Sequence, residues 1–322
     1  MIRTIFVQEG RVVVRDGLAF DEQAAATWLQ ILDPTEAEIE SLRSTCHLDP
    51  VFPIEGIRED DRYIHIPVRL VTMSAGERPG LRPVRFVLGE KIIATVDVAP
   101  GPPAFAKALQ RLEHKPALGR SAATLFRLLL QALNEAGEQL IDQVSDDLTR
   151  ASEEIIGVSG SLQIHGREAG VTDLTCLIMR LNSKEELISQ CLERQLFLAR
   201  AARRLENAVD DEEEPVLSRL IKELIDDIEG VEAHAAHEHN RVYYLQEAIN
   251  ASLNIKQNQI VKIFTILSAI FMPPTLIASI YGMNWAKMPE LSWTAGFPFA
   301  VTFMLISAVL PLFYIKKRGW LR

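Results

Sequence analysis

The sequence predicts an α+β soluble domain that leads into a long helical bundle and stalk and ends in two C-terminal transmembrane α-helices. Three observations predict this. Residues 1–115 carry short apolar runs punctuated by Gly and Pro. From Ser121 onward, apolar residues recur three or four apart over long stretches. Two late segments, Ile263 to Ala286 and Leu291 to Ile315, hold no charged side chain. As helices, each is long enough to cross a hydrocarbon core of about 30 Å, which takes about 20 residues.

The first domain reads as two hairpins with helices between the strands. Thr4 to Val7 and Arg11 to Arg15 flank Glu9-Gly10, and Val84 to Leu88 and Ile92 to Val96 flank Gly89-Glu90. Tyr63 to Val71 alternates apolar and polar residues as a strand does. Asp33, followed by Pro34 and Glu36, is expected to start a helix with Ile39 and Leu42 on its inner side. The Pro100-Gly101-Pro102-Pro103 cluster is expected to end the sheet region, with the boundary near Lys115-Pro116.

The next part reads as an antiparallel bundle. Leu125, Leu129, Leu133, Leu140, Val144, Leu148 and Ile155 define one helix, and Leu174, Ile178, Leu181, Ile188, Leu192 and Leu196 a second. After the acidic run Asp210 to Glu214, a third series spans Leu217, Leu224, Ile228, Val231, Ala235, Val242, Leu245, Ile249 and Ser252, with no proline between Pro215 and Pro273. Unbroken to Tyr281, that helix would be on the order of 100 Å long.

Composition fits a body and a tail better than one average. The 322 residues are 48% hydrophobic with a formal net charge of −9 and a mean hydropathy of +0.08. Roughly 260 residues precede the first span, enough to bury a core of their own. Such an acidic body argues against nucleic acid as a partner. Cys46, Cys176 and Cys191 are an odd number without metal-type spacing, which points to reduced thiols. The first 30 residues include Glu9, Arg11, Arg15 and Asp16 and no apolar run, so no secretory signal is expected. No Gly-rich phosphate loop or nucleophile constellation is present, so an enzyme is not expected.

Basic residues orient the tail. Lys256 and Lys262 precede the first span and Lys316, Lys317, Arg318 and Arg322 follow the second, whereas the connector balances Lys287 with Glu290. Both termini are therefore expected to be cytoplasmic, with the spans paired as a hairpin in membrane lipid and Trp285, Trp293 and Trp320 as interfacial anchors. The division that follows is 1–115 for the α/β domain, 116–258 for the bundle and stalk helix, 259–281 and 296–315 for the spans, 282–295 for the loop between them and 316–322 for a basic tail.

The first span carries a stripe of polar, small or thioether residues spaced by three or four: Asn258, Val261, Thr265, Ser268, Met272, Thr275, Ser279 and Gly282. Ile263, Ile266, Leu267, Ile270, Phe271 and Ile277 cover its other faces. Such a stripe is either a helix-packing seam or, with several copies around one axis, the wall of a pore. Pro273-Pro274 removes two backbone donors and frees carbonyls near Ala269 and Ile270.

Tyr281-Gly282-Met283-Asn284, Met288-Pro289-Glu290-Leu291, the preceding Phe271-Met272-Pro273-Pro274-Thr275-Leu276 and the ending Lys317-Arg318-Gly319-Trp320-Leu321 resemble the CorA family of magnesium channels. The resemblance is dense from Asn254 to Arg322, and the upstream order of domains is also similar. It implies a funnel-shaped homopentamer in a bacterial inner membrane that passes hydrated Mg2+, and also cobalt and nickel. It places a selectivity filter at Tyr281, Gly282, Met283 and Asn284, with Glu290 in the adjoining periplasmic loop. Asn258, Val261, Phe264, Thr265, Ser268, Met272 and Thr275 would line the pore or its gate. Regulatory Mg2+ would be held by acids on the stalk, among Glu223, Asp226, Asp227 and Glu247. The region 98–104 departs from the family pattern, so no partner carboxylate is identified there. ZntB-like proton-coupled zinc transporters share the architecture but commonly vary these motifs, and a non-conducting membrane-anchored scaffold is a more distant alternative.

Two other clusters draw attention. Of His234, His237 and His239, only His234 and His237 share a helix face, which fits a solvated or inter-subunit face better than a transition-metal site. The acids at 210–214 read as a solvated turn rather than a cation site.

Overall fold

The computed structural model describes residues 1–8, 10–19, 26–51, 56–72, 80–97, 101–159, 171–283 and 293–318. The chain divides into two compact units, Met1–Glu168 with Thr175–Gln246, and Ala169–Leu174 with Glu247–Arg322.

The first unit is built on one mixed sheet of seven strands. Its strands are β1 (Ile2–Gln8), β2 (Arg11–Asp16), β3 (Thr27–Leu32), β4 (Arg58–Glu59), β5 (Ile64–Thr72), β6 (Gly80–Leu88) and β7 (Ile92–Asp97), in the order β2-β1-β3-β7-β6-β5-β4. Both expected hairpins form. Gln8 faces Arg11 with Gly10 at φ 72° in the left-handed region, and Leu88 pairs with Ile93 in the antiparallel β6–β7 ladder. β3, which the sequence reading passes over, is central, antiparallel to β1 and parallel to β7.

Residues two apart along a strand face the same side of the sheet, and each side has its own core. One side buries Leu29, Ile31, Val87, Ala94 and Val96 with Leu42, Cys46 and Leu48. Of these, Leu42 and Cys46 belong to helix α1 (Glu36–Cys46). The cap of α1 corrects the sequence expectation, because Thr35 and not Asp33 starts the helix. Thr35 Oγ1 accepts from the Glu38 amide at 3.3 Å, and Glu38 Oε2 accepts from the Thr35 amide at 2.8 Å. Two otherwise orphaned donors are satisfied by this reciprocal pair. Asp33 sits at φ 42°, where the chain turns out of β3. At the other end of α1, the Tyr63 hydroxyl donates to the Cys46 carbonyl at 2.7 Å, and burial pushes the Cys46 thiol up to about 11.

The opposite side of the sheet packs on helices α2 (Pro103–His114) and α3 (Ala122–Ser159), which a 3-10 turn, Pro116–Gly119, connects. Phe105 of α2 lies edge-on to Trp28 at 5.8 Å and to Phe86 at 6.0 Å, and Phe86 lies 5.2 Å from Phe126 of α3. Such aromatic pairs add about 0.5–1.5 kcal/mol beyond their buried area. The sheet ends ahead of the 100–103 cluster as expected, with β7 its last strand, and the cluster also opens a helix. Pro102 is the N-cap and Pro103 opens α2, where a missing N–H costs no hydrogen bond.

Helices α3 and α4 (Val171–Ala208) pack with α5 (Pro215–Tyr281). Leu125, Leu129, Leu133, Val144, Leu148 and Ile155 of α3 are buried as their spacing predicts, and so are Leu217, Leu224, Ile228, Val231, Ala235, Val242, Leu245 and Ile249 of α5. On α4, Leu181 and Ile188 are buried but Leu196 is 44% exposed. The polar pair Arg194 and Gln195 occupies the interior there instead, with Gln195 Nε2 donating to Asn134 Oδ1 at 2.8 Å. Ion pairs clasp the helices from outside, among them Arg180 with Glu154 at 3.0 Å and Lys184 with Asp147. Arg69 of β5 reaches Glu193 of α4 at 2.5 Å and lies over the Phe197 ring. Cys46, Cys176 and Cys191 are free thiols.

The second unit contains the C-terminal part of α5 and helix α6 (Gly296–Lys317). Both α5 and α6 are long and apolar enough to cross a membrane. Trp293 lies 5.7 Å from Phe299; at the other end of α6, Arg318 is the C-cap, its amide donating to the Tyr314 carbonyl and its guanidinium lying over the Tyr314 ring at 5.7 Å.

Candidate functional site

The stripe predicted on the first span falls on an uninterrupted helix, because α5 runs through Pro273 and Pro274 to Tyr281. Its residues share a face by spacing, and their side chains are open. Val261 is 56% exposed, Met272 69%, and Phe264, beside the stripe, 64%. Asn258, Val261, Lys262 and Thr265 together line a concavity of about 410 Å³.

Two threonine hydroxyls on this face commit their protons to the helix backbone. Thr265 Oγ1 donates to the Val261 carbonyl at 2.8 Å, and Thr275 Oγ1 donates to the Phe271 carbonyl at 2.6 Å. Each Thr oxygen keeps a lone pair as an acceptor. A hydrated cation presents only donors, the hydrogens of its water shell, so a wall of acceptors is chemically matched to it. Residues 273 and 274 have no N–H for the Ala269 and Ile270 carbonyls, one turn earlier.

At the end of α5, the Gly282 amide donates to the Ala278 carbonyl at 2.9 Å, and the Met283 amide to Ile280 at 3.3 Å. A Cβ at Gly282 would stand 3.2 Å from the Ala278 oxygen, so a side chain here would crowd the last helical turn. Tyr281, Gly282 and Met283 are thereby placed at the helix terminus. Asn284 and Glu290 lie outside the described residues, as do Trp285 and Trp320.

The four acids on the stalk are all exposed on α5. Glu223 pairs with Arg219 at 3.5 Å. Glu223 and Asp227, one helical turn apart, line a single cleft with α2 and α3, whereas Asp226 and Glu247 do not line it. Among the described residues no group of three or more His, Cys, Asp or Glu is placed to hold a metal ion. The histidines instead approach carboxylates: His234 Nδ1 is 3.8 Å from Asp142 and His239 Nε2 is 3.9 Å from Glu185. Glu238, only 2% exposed, was missed from sequence. It accepts from Ser145 Oγ at 3.1 Å and faces Arg241 at 3.4 Å, which accounts for its burial.

Two helices long and apolar enough to cross a membrane, with hydrogen-bond acceptors along the first, fit a membrane protein with one polar face on that span. The chain belongs to the CorA-like Mg2+ transporter family, whose model matches residues 23–317. The magnesium transport protein CorA of Haemophilus ducreyi is 28% identical over 336 positions, covering the whole of both chains. That of Yersinia pseudotuberculosis is 29% identical over 319 positions, 94% of each. The complete structure of the CorA magnesium transporter from Methanocaldococcus jannaschii shares the fold, with a TM-score of 0.77 at 14% identity over 99% of this chain and 98% of that one.

Proposed function

We propose that this chain transports Mg2+ passively, as a channel for the hydrated ion, and that several copies, five by resemblance, surround one pore. The observation that carries this reading is the acceptor stripe of α5 leading directly into Tyr281-Gly282-Met283-Asn284. Mg2+ sheds water reluctantly, so oxygens that bind it through its shell hold it weakly enough for release. Asn284 with the Gly282 backbone would form the outer ring of acceptors, and Glu290 would lie beside it in the loop 282–295. Thr275, Ser268, Thr265 and Asn258 would continue the wet path, while rings of Met272, Val261 and Phe264 would close it by dewetting.

In this reading 259–281 is the pore-lining span, 296–315 the lipid-facing one and 316–322 a basic tail. Both termini lie in the cytoplasm of a bacterial cell whose inner membrane holds the protein. Cobalt and nickel, hydrated divalent ions of similar size, would share the path. Cytoplasmic Mg2+ held at Glu223, with Asp226, Asp227 and Glu247 as further acids, would favour the closed assembly. The test is uptake into liposomes. Mg2+ entry without a proton gradient, blocked by a hexaammine complex that mimics the hydrated ion, is the expected result. Zinc entry that requires a proton gradient would overturn the channel reading, and no entry of any divalent ion would overturn transport.

A further inference from the structure

A cleft of about 860 Å³ in the first unit lies where α2, α3 and α5 meet. That size falls within the range of about 300–1,000 Å³ in which small-molecule clefts occur. Its walls differ in sign. α2 and the segment just after it contribute Lys107, Arg111 and Lys115, and α5 contributes Glu223 and Asp227 on the other side. Arg111 is held by Glu135 at 2.5 Å, and Lys107 Nζ donates to Gln139 at 3.0 Å.

Among the residues lining the cleft, Arg127 of α3 is 9% exposed. Its Nη1 donates to Gln131 Oε1 at 3.2 Å and its Nε has no hydrogen-bond partner. Among the described residues no carboxylate forms an ion pair with it. A buried guanidinium left this way is costly unless a bound group completes it. Desolvation accordingly pushes its pKa down, opposed by the field of Glu223.

We propose that this cleft binds a magnesium-chelated oligophosphate, with its phosphates on Arg127, Lys107 and Lys115 and its chelated cation toward Glu223 and Asp227. A free polyanion would be repelled by the α5 wall and a free cation by the α2 wall. A phosphate chain carrying Mg2+ presents both signs at once. Such chelates, nucleoside triphosphates above all, hold much of a cell's magnesium-binding capacity, so the site would report chelated rather than free ion. The inference concerns the soluble unit and does not depend on conduction.

The test is equilibrium binding to the full chain in detergent or nanodiscs at fixed free Mg2+, with MgATP and magnesium tripolyphosphate as separate probes. Saturable binding of MgATP is expected, and Lys107→Gln with Lys115→Gln should weaken it about tenfold, as loss of charge-assisted phosphate contacts does. Both lysines are exposed, so this variant should fold, whereas Arg127→Gln, expected to abolish binding, needs its thermal unfolding checked alongside. Equal affinity for tripolyphosphate would assign recognition to the phosphate chain, and preference for MgATP would add a contact to the nucleoside. Absence of saturable binding of either probe at millimolar concentration, or unchanged affinity in the lysine variant, overturns the inference. Mg2+ uptake by the same preparation without binding would overturn this inference alone, and binding without uptake would leave it standing while overturning transport.

Discussion

Arg194 occupies the space that a side chain on Gly137 would need. A Cβ built at Gly137 stands 1.2 Å from Arg194 Nη2 and 2.4 Å from its Cζ. Arg194 is 4% exposed, its Nε has no hydrogen-bond partner among the described residues, and its Nη2 donates to Gln195 Oε1 at 3.4 Å. Burial therefore pushes its guanidinium pKa down from the ordinary value.

This pair makes a stability prediction. Gly137→Ala gains about 1 kcal/mol of helix propensity, but it must displace a buried side chain, for which overpacking costs about 1–3 kcal/mol. The net expectation is destabilisation. Arg194→Met removes an uncompensated buried charge and should be neutral or stabilising. In the Arg194→Met background, Gly137→Ala should become stabilising. Thermal unfolding of the four proteins forms the double-mutant cycle, and additive effects would show that the two residues do not compete for space.

The same region shows where sequence reading stops. Heptad-like spacing located most of the buried faces of α3 and α5, because tertiary packing there follows apolar periodicity, with Leu140 and Ser252 only partly buried. On α4 it placed Leu196 inside, where Arg194 and Gln195 lie instead, since a polar core is specified by partners such as Asn134 on another helix. β3 was missed because a central strand is buried on both faces, and Thr-Trp-Leu-Gln-Ile-Leu does not alternate. The stripe on α5 was legible because one helix carries all of it. The α2–α3–α5 cleft was not, because Lys107 and Arg127 line it with Glu223 only after the distant α5 folds against α2 and α3. The role of Asn284 rests on its motif.

For the outer ring, Asn284→Ala is expected to reduce Mg2+ uptake to near background while leaving assembly intact. If several copies surround one pore, the substitution removes an amide oxygen from each of them. Uptake into liposomes, paired with size determination of the solubilised protein, checks both halves. Retained uptake in an assembled variant would remove Asn284 from the filter.

For the gate, Met272→Asp should raise leak. Met272 is 69% exposed on the stripe face, and a ring of carboxylates holds water where thioethers exclude it. Raised Mg2+ influx at high cytoplasmic Mg2+ is the expected reading. Unchanged flux in a correctly inserted variant would place Met272 against lipid or the second span.

The last prediction concerns regulation and begins from the surplus of acids on α5. Glu223 and Asp226 are exposed on α5, and among the described residues Glu223 has only Arg219 as an ion-pair partner, at 3.5 Å between exposed side chains. Such a surface pair contributes about 0–1 kcal/mol, so it leaves Glu223 free to meet a cation. If Mg2+ bridges these carboxylates to a neighbouring copy, it binds the closed assembly better than the open one, and its depletion shifts the population toward open. Glu223→Ala with Asp226→Ala removes the ion site together with the repulsion that the ion offsets. Inhibition by cytoplasmic Mg2+ should then move to higher concentration, and protection of the cytoplasmic domain from protease by Mg2+ should weaken in parallel. Selectivity, if it is set by the Gly282-Met283-Asn284 motif, should be unchanged. Wild-type inhibition and protection curves in the double variant would show these acids to be a solvated face and would move the sensor elsewhere in the chain.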